Sequence, residues 1–448
     1  MYTFMGVKYR FRQLIALGGD LIVLYASLFI ALYARRFFDL TYRLSISEHI
    51  APFTILFFVW VFVFSLFSLY DPRTLKNNLD FVRLFGFALL TNITLAVIYF
   101  YALPFWGLAP KRNLLFFLIV FCILFFGWRR LFNRVLAAVF SGKNIIVFGD
   151  GPEIAELVEC ISKNPQIGYS VVLHAAAPIS TEALRTTIHK HNVSLVAVNH
   201  REKGNPAFIR ALVDNLSSGV GVVDVTILYE TVFRKVPVSS ITELWLIENI
   251  ARGENKFFDA ISRILDCIFA LLIGIVLLPF CLVLVTLMVI ESPGPAIYRQ
   301  RRVGKNHREF TLYKFRTMVV NAEKSGPQWW SKNDSRVTKM GNILRQSHLD
   351  EVPQVLNIFR GELSLVGPRP ERPEFVHDLK EKIPYYDMRH LIRPGFTGWA
   401  QVNYRYGSSI EDAHQKLQYD MYYIKNRSIT LYLFTLFKTA RVFFSNVE

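Results

Sequence analysis

Two adjacent carboxylates, Asp350 and Glu351, lie in the run Arg345-Gln-Ser-His-Leu-Asp-Glu-Val-Pro-Gln354. Cations bracket them along the chain: Lys314 and Arg316 before, Arg369 and Arg393 after. Acids within a basic, glycine- and proline-rich stretch suit work on phosphate esters. A carboxylate can hold a metal ion, or attack phosphorus to form an acyl phosphate; arginines can grip phosphate oxygens through paired N–H donors. Mg²⁺ and arginines together would neutralise the charge that otherwise repels such an attack, and Asp350 and Glu351 are both candidate ligands for it. A lone Asp-Glu pair is common on helix surfaces and by itself means nothing. Here Ile343 to Leu349 has a helical pattern, and Pro353 restricts the turn after it. Neighbouring side chains on a helix point about 100° apart, so the two acids cannot do the same job. One can face phosphorus while the other binds metal or steadies the first.

The cations sit on elements that would fix them. Lys314-Phe-Arg316-Thr-Met ends an expected strand, Phe310 to Tyr313. Residues two apart on a strand face one side, so Lys314 and Arg316 can share one diphosphate; a solvated strand face is the alternative. Gly367-Pro-Arg369-Pro is a stiff turn that presents its arginine with little freedom, and Arg393-Pro-Gly-Phe-Thr-Gly-Trp399 repeats the pattern. Taken singly, the first of these turns reads more often as structural. Asp420-Met-Tyr-Tyr423 falls on an expected helix, and Ile429 to Phe444 suits an amphipathic helix on a bilayer surface or a core helix.

Upstream of this domain, Cys267 to Ile290 has no charged residue. Pro279 interrupts it, and cations flank both ends: Arg252, Lys256 and Arg263 before, Arg299, Arg301, Arg302 and Lys305 after. Proline bends a helix, and cations at both ends favour the cytoplasmic side, so a re-entrant helix-break-helix is expected, with a kinked fifth span as the alternative. Four further apolar segments run from Leu14 to Ala34, Ile50 to Tyr70, Leu84 to Leu103 and Leu114 to Trp128. The first three approach the roughly 20 residues that cross a bilayer, and the fourth is short but usable. The first is too long for a cleavable signal and more spans come after it. Asp20, the one acid within these runs, is expected to contact a neighbouring helix. Lys8, Arg10 and Arg12 precede the first span, and Arg129, Arg130 and Arg134 follow the fourth, which places both ends in the cytoplasm.

Residues 141 to 235 read as strands alternating with helices, hence a parallel doubly wound sheet. The strands are expected at Asn144–Phe148, Tyr169–Leu173, Leu195–Val198 and Val220–Val225. Gly149-Asp-Gly151-Pro resembles a dinucleotide turn, but Ile154 stands where its third glycine belongs. A fold without cofactor is the plainer reading, a regulatory nucleotide the sharper one. Composition agrees with a membrane protein: 52% of residues are hydrophobic and 39 are Phe, while the net charge is +16. The basic residues flank apolar runs and no nucleic-acid reader motif is present, so the charge points to membrane and phosphates, with no nucleic acid as a partner. Cys122, Cys160, Cys267 and Cys281 have no metal-site spacing and imply no disulfide framework. The expected fold class is a membrane protein of mixed α and α/β type. It comprises four transmembrane helices (1–135), a Rossmann-like cytoplasmic domain (141–250), a re-entrant membrane helix (256–291) and a small α+β domain (292–448). The spans also offer a surface for a homodimer.

Four motifs in this order, Lys314-Phe-Arg-Thr-Met, Leu349-Asp-Glu-Val-Pro-Gln, Val366-Gly-Pro-Arg-Pro and Arg393-Pro-Gly-Phe-Thr-Gly-Trp-Ala-Gln-Val-Asn403, resemble those of the bacterial sugar transferases, the monotopic polyprenyl-phosphate sugar-1-phosphate transferases. The likeness runs from about Phe257 to the C-terminus, and the larger layout looks like the long initiating transferases of exopolysaccharide and O-antigen assembly. It implies transfer of a sugar-1-phosphate from a UDP-sugar to undecaprenyl phosphate with release of UMP, at the cytoplasmic face of the bacterial inner membrane. It further implies Asp350 as nucleophile, Glu351 as its assistant, a required Mg²⁺ and a phosphosugar-enzyme intermediate. By the same likeness Arg345 joins the phosphate-binding cations, and Asp266 is the acid that starts the re-entrant helix. Where small members of the group have Ser-Pro at the membrane break, this chain has Leu278-Pro279. Two other functions compete: a non-catalytic membrane adaptor for polysaccharide export, and a nucleotide-sugar dehydrogenase or epimerase built on the Rossmann-like unit.

Overall fold

The computed structural model describes residues 2–38, 46–67, 69–70, 79–102, 111–139, 142–199, 206–216, 219–250, 256–320, 322, 334, 336–404, 407 and 409–445. Contacts divide the chain into two compact units, Met1–Val232 and Phe233–Glu448.

The first unit opens with four long helices: α1 (Tyr2–Phe38), α2 (Ile46–Leu66), α3 (Leu79–Ala102) and α4 (Lys111–Val139). Gln13–Phe37, Ile46–Leu66, Phe81–Tyr101 and Asn113–Val135 are each long and apolar enough to cross a membrane. A helix is the form in which such runs satisfy their backbone without water. The phenylalanines pack the bundle's interior as ring on ring: Phe57 with Phe117 at 5.6 Å, Phe64 with Phe121 at 6.1 Å, Phe85 with Phe125 at 4.5 Å. α4 runs well past the short span expected of it and carries Arg129 within its course. Its guanidinium is buried on the Asp20 carboxylate at 2.6 Å and lies over the rings of Tyr70 and Phe125. Asp20 is thus the contact between helices that its placement called for, with Arg129 of α4 as its partner.

The α/β part comes next: β1 (Lys143–Phe148), α5 (Pro152–Lys163), β2 (Tyr169–Ala175), α6 (Thr181–Lys190), β3 (Val193–Val198), α7 (Pro206–Leu216), β4 (Gly221–Asp224) and α8 (Val225–Phe233). The four strands are parallel in the order β2-β1-β3-β4. Ile145 to Phe148 on central β1 are fully buried, as a strand covered on both faces requires. Gly149 and Gly151 have φ of 140° and 107°. A Cβ on Gly149 would fall 2.7 Å from Ile154 Cδ1, so the isoleucine fills the space below the turn.

In the second unit, the segment before α9 (Glu243–Asn249) is already part of the C-terminal core. Val236 N–H donates to the Gln418 carbonyl at 2.9 Å, Trp399 Nε1 donates to the Arg234 carbonyl at 2.9 Å, and Val236, Val238, Ile241 and Trp245 are buried. A chain beginning at Phe233 is therefore expected to unfold cooperatively. One beginning after residue 250 loses these four buried side chains, at roughly 2–5 kcal/mol for each large one. Equal melting temperatures for the two truncations in detergent would contradict this.

α10 (Lys256–Glu291) continues through Pro279 as one helix. The helical assignment does not stop at the proline: a proline inside a helix removes one ladder hydrogen bond and kinks it without ending the turns on either side. Lys256–Leu277 is a fifth segment long and apolar enough to cross a membrane. Near its start, Arg263 donates to the carbonyls of Ile358 and Phe359. Buried Asp266 accepts from Ser364 Oγ, Leu365 N and Tyr432 Oη at 3.1, 2.8 and 2.7 Å. At its other end, Glu291 accepts from the backbone of Lys339 and Met340 at 2.8 and 2.9 Å.

The remainder comprises β5 (Ile297–Val303), β6 (Glu309–Phe315), α11 (Lys339–Gln346), α12 (Val355–Arg360), β7 (Ser364–Val366), α13 (Pro373–Lys382), β8 (Gly395–Thr397), α14 (Trp399–Asn403), α15 (Ile410–Lys425) and α16 (Ile429–Ser445). β5 and β6 form an antiparallel hairpin with Lys314 opposite Tyr298. β7 and β8 pair in parallel and bring the two proline turns back to back: Gly367 N–H donates to the Thr397 carbonyl and Gly395 N–H to the Pro368 carbonyl, both at 2.9 Å. A Cβ on Gly395 would lie 2.0 Å from Gly367 N, so only glycine permits this approach. α16 buries Tyr432 and Thr435 in the core, which gives it a packed face.

Candidate active site

The helical run ahead of the acids stops at α11. His348 then adopts a left-handed φ of 55°, and Leu349–Gln354 winds as a 3-10 segment rather than the α-helix the pattern implied. In this tighter coil the acids still diverge. Glu351 points inward, where its Oε1 receives Lys314 Nζ at 2.8 Å and Arg369 Nη2 at 2.7 Å. Burial alone would raise its pKa, but these two cations outweigh that and hold it well below the carboxylate range. Asp350 is also buried, yet neither oxygen has a hydrogen-bond partner among the described residues. Burial pushes its carboxyl up; Lys314 pulls it back, and Glu351 adds to the rise. The pair thus separates into a fixed, ionised anchor and a free carboxylate.

The cations are distributed unevenly. Lys314 comes from β6, whose edge is tied to α12 by Asn357: Tyr313 N donates to Asn357 Oδ1 at 3.1 Å, and Asn357 Nδ2 donates to the Thr311 carbonyl at 2.7 Å. Arg345 donates through Nε to Thr317 Oγ1 at 2.8 Å and keeps a buried Nη1 without a partner. That nitrogen is a donor available to an incoming anion. Arg316 does not join Lys314 on Glu351. β6 ends at Phe315, so the two-residue alternation stops there, and the Arg316 guanidinium turns to the Ser292 carbonyl. Arg393 also stands apart from the acids, lining a cavity with Lys305, Ser364, Tyr423 and Tyr432. The back-to-back turns explain this, since β7–β8 pairing aims the two arginines into different cavities.

One group of functional weight had no signal in the motifs. Arg389, buried, donates to the Arg369 carbonyl at 3.0 Å and to Asp420 Oδ2 at 3.1 Å. It fixes the backbone of the turn whose side chain holds Glu351. Asp420 stands out in the sequence as a helix acid near tyrosines, but nothing local marks Arg389 as its partner 31 residues away.

Fold and site define a class: membrane proteins in which a helical bundle and a parallel α/β region accompany a small α+β domain with a buried acidic pair. Residues 257–446 match the family model for bacterial sugar transferases. A UDP-glucose:undecaprenyl-phosphate glucose-1-phosphate transferase of Klebsiella pneumoniae is 30% identical over 353 residues, 73% of this chain and 74% of its own length. A UDP-N-acetylgalactosamine-undecaprenyl-phosphate N-acetylgalactosaminephosphotransferase of Aeromonas hydrophila is 42% identical over 187 residues, 42% of this chain but only 44% of the relative. An exopolysaccharide production protein of Rhizobium leguminosarum is 36% identical over 192 residues, 40% of this chain and 93% of the relative. The chain belongs to the bacterial sugar transferase family.

Proposed function

We propose that this protein transfers a sugar-1-phosphate from a UDP-sugar to undecaprenyl phosphate, releasing UMP, as an initiating step of exopolysaccharide or O-antigen assembly. The observation that carries the reading is the division of labour at the acids: Glu351 is held by Lys314 and Arg369 while the Asp350 carboxylate is free. An Asp350 oxygen attacks the sugar-proximal phosphorus; the bond to the bridging oxygen breaks and UMP leaves. An oxygen of undecaprenyl phosphate then attacks the same phosphorus. The bond to Asp350 breaks, the carboxylate is restored, and the sugar leaves on the lipid diphosphate. Arg345 Nη1 and Arg369 are placed to meet phosphate oxygens. The donor set also suits a hard cation: Asp350 is unbonded, and both cations on Glu351 occupy Oε1 and leave Oε2 aside. Asp350 and Glu351 would hold Mg²⁺, whose contribution is to neutralise diphosphate charge.

The site is read at the cytoplasmic face of the inner membrane, with α10 entering and leaving the same side. Supporting this, both ends of α10 bond to the same unit, through Arg263 and Glu291. Ile275, Val276, Phe280, Leu282 and Val283 between them are more than half exposed, as suits side chains meeting lipid.

A panel of UDP-sugars that includes UDP-glucose and UDP-N-acetylgalactosamine, assayed with undecaprenyl phosphate for UMP release and lipid-linked product, tests the reaction. Absence of product with every donor would overturn it. The pH dependence is a further check. Attack requires ionised Asp350, whose pKa is raised. The rate is expected to fall, as pH drops, at a higher pH than an ordinary aspartate would give. A flat kcat/KM through the acid range down to the ordinary aspartate pKa would contradict it.

A further inference from the structure

We propose that His307, Asp387 and His390 form a site for one divalent transition-metal ion of the zinc type, separate from the paired acids. The three come from two elements that meet. His307 ends the 3-10 turn Lys305–His307 between β5 and β6; Asp387 and His390 lie three apart in the 3-10 segment Tyr386–Leu391, where such residues stack. The backbone is held unusually on both sides: Asn306, His307 and Tyr385 have φ of 54°, 59° and 61°, sparsely populated for non-glycine residues.

One ligand atom from each residue lies within 4.8 Å of the other two. The imidazole centroids of His307 and His390 are 4.7 Å apart. Asp387 Oδ1 is 3.9 Å from His307 Nε2 and 4.0 Å from His390 Nδ1, too far for a hydrogen bond to either. Asp387 Oδ1 and His390 Nδ1 are consequently buried with no partner. Buried polar atoms are rarely left so, and two facing the same gap call for something between them. A tetrahedral ion with bonds of about 2.0–2.1 Å separates its donors by about 3.4 Å, so modest closure of this cluster suffices. Two imidazoles and a carboxylate suit zinc-like ions with an open position, whereas Mg²⁺ and Ca²⁺ prefer oxygen throughout. The second Asp387 oxygen is ion-paired with Lys380, which orients the carboxylate. That lysine and Arg389 oppose a dication, so binding weaker than at a closed four-ligand site is expected.

His390 also borders the cavity lined by Gly304, Pro368, Arg369 and Arg389. An ion here ties the β5–β6 turn to the segment bearing Arg389, which bonds the Arg369 carbonyl. Its role is to stiffen the mount of Arg369.

The test uses the full chain in detergent, free of any polyhistidine tag and stripped of metal, titrated with Co²⁺ and with Zn²⁺. One equivalent of Co²⁺ giving a visible d–d band is expected, with Zn²⁺ displacing it and raising the melting temperature. His307→Ala, at an exposed position, should weaken binding about tenfold or more and abolish the thermal shift, and Asp387→Asn should do the same. Asp350→Asn should leave the band intact. No band in the unmodified protein, an unchanged band in His307→Ala, or loss of the band in Asp350→Asn would each overturn the proposal.

Discussion

Asp350→Asn is expected to lower turnover by about 10⁴-fold or more, because it removes the only oxygen nucleophile proposed for the first step. The same substitution should not harm the fold. Asp350 makes no hydrogen bond among the described residues, and the amide is of the same size. Its stability effect has a definite sign. The folded-state pKa is raised, so the folded protein takes up this proton more readily than the unfolded chain. The resulting stability is present at low pH and lost as pH rises through the folded pKa. At neutral pH the ionised carboxylate is a burden that asparagine relieves, so the variant should melt no lower than the parent. Donor consumption with trapping of the phosphosugar adduct on the parent, and its absence on the variant, checks the assignment by mass spectrometry. Full turnover by Asp350→Asn would end it.

Glu351→Gln is expected to be nearly as severe for turnover and far worse for stability. Oε1 of Glu351 carries both Lys314 and Arg369. Breaking a buried ion pair by removing one partner costs roughly 3–5 kcal/mol, because the remaining charge is left uncompensated. Arg369 is partly open to solvent, which moves the cost toward the lower end of that range. The freed Lys314 is then drawn to the Asp350 carboxylate, on which its charge already acts, and ties up the nucleophile. Thermal unfolding and single-turnover UMP release on the same preparation separate the two effects. A Glu351→Gln protein that melts with the parent would show that the pair adds nothing to the fold.

Much of this protein was legible along the chain because the signals were local. The four long apolar N-terminal helices, the parallel strands at 143–148 and 193–198 and the acid pair after a helix all arise from composition and period within a few turns. Where the reading missed, the deciding interaction was distant. The placement of residues 234–249 in the C-terminal core depends on partners about 165 to 180 residues away. Arg316 differs from Lys314 for a subtler reason: strand alternation held only to Phe315, and one residue further the guanidinium reaches the Ser292 carbonyl.

Sequence by itself determined which side chains were available: two carboxylates in one step of the chain, cations on a strand and on two stiff turns, apolar runs of membrane length. Tertiary structure alone decided who met whom. Lys314 and Arg369 went to Glu351, Asp350 was left free, Arg389 braced the turn through Asp420, and Arg129 closed on Asp20 across 109 residues. The physical reason is that a charge buried with its partner lies far below the same charge buried alone, and which partner lies within about 3 Å depends on how strands and helices pack, a property no local spacing encodes.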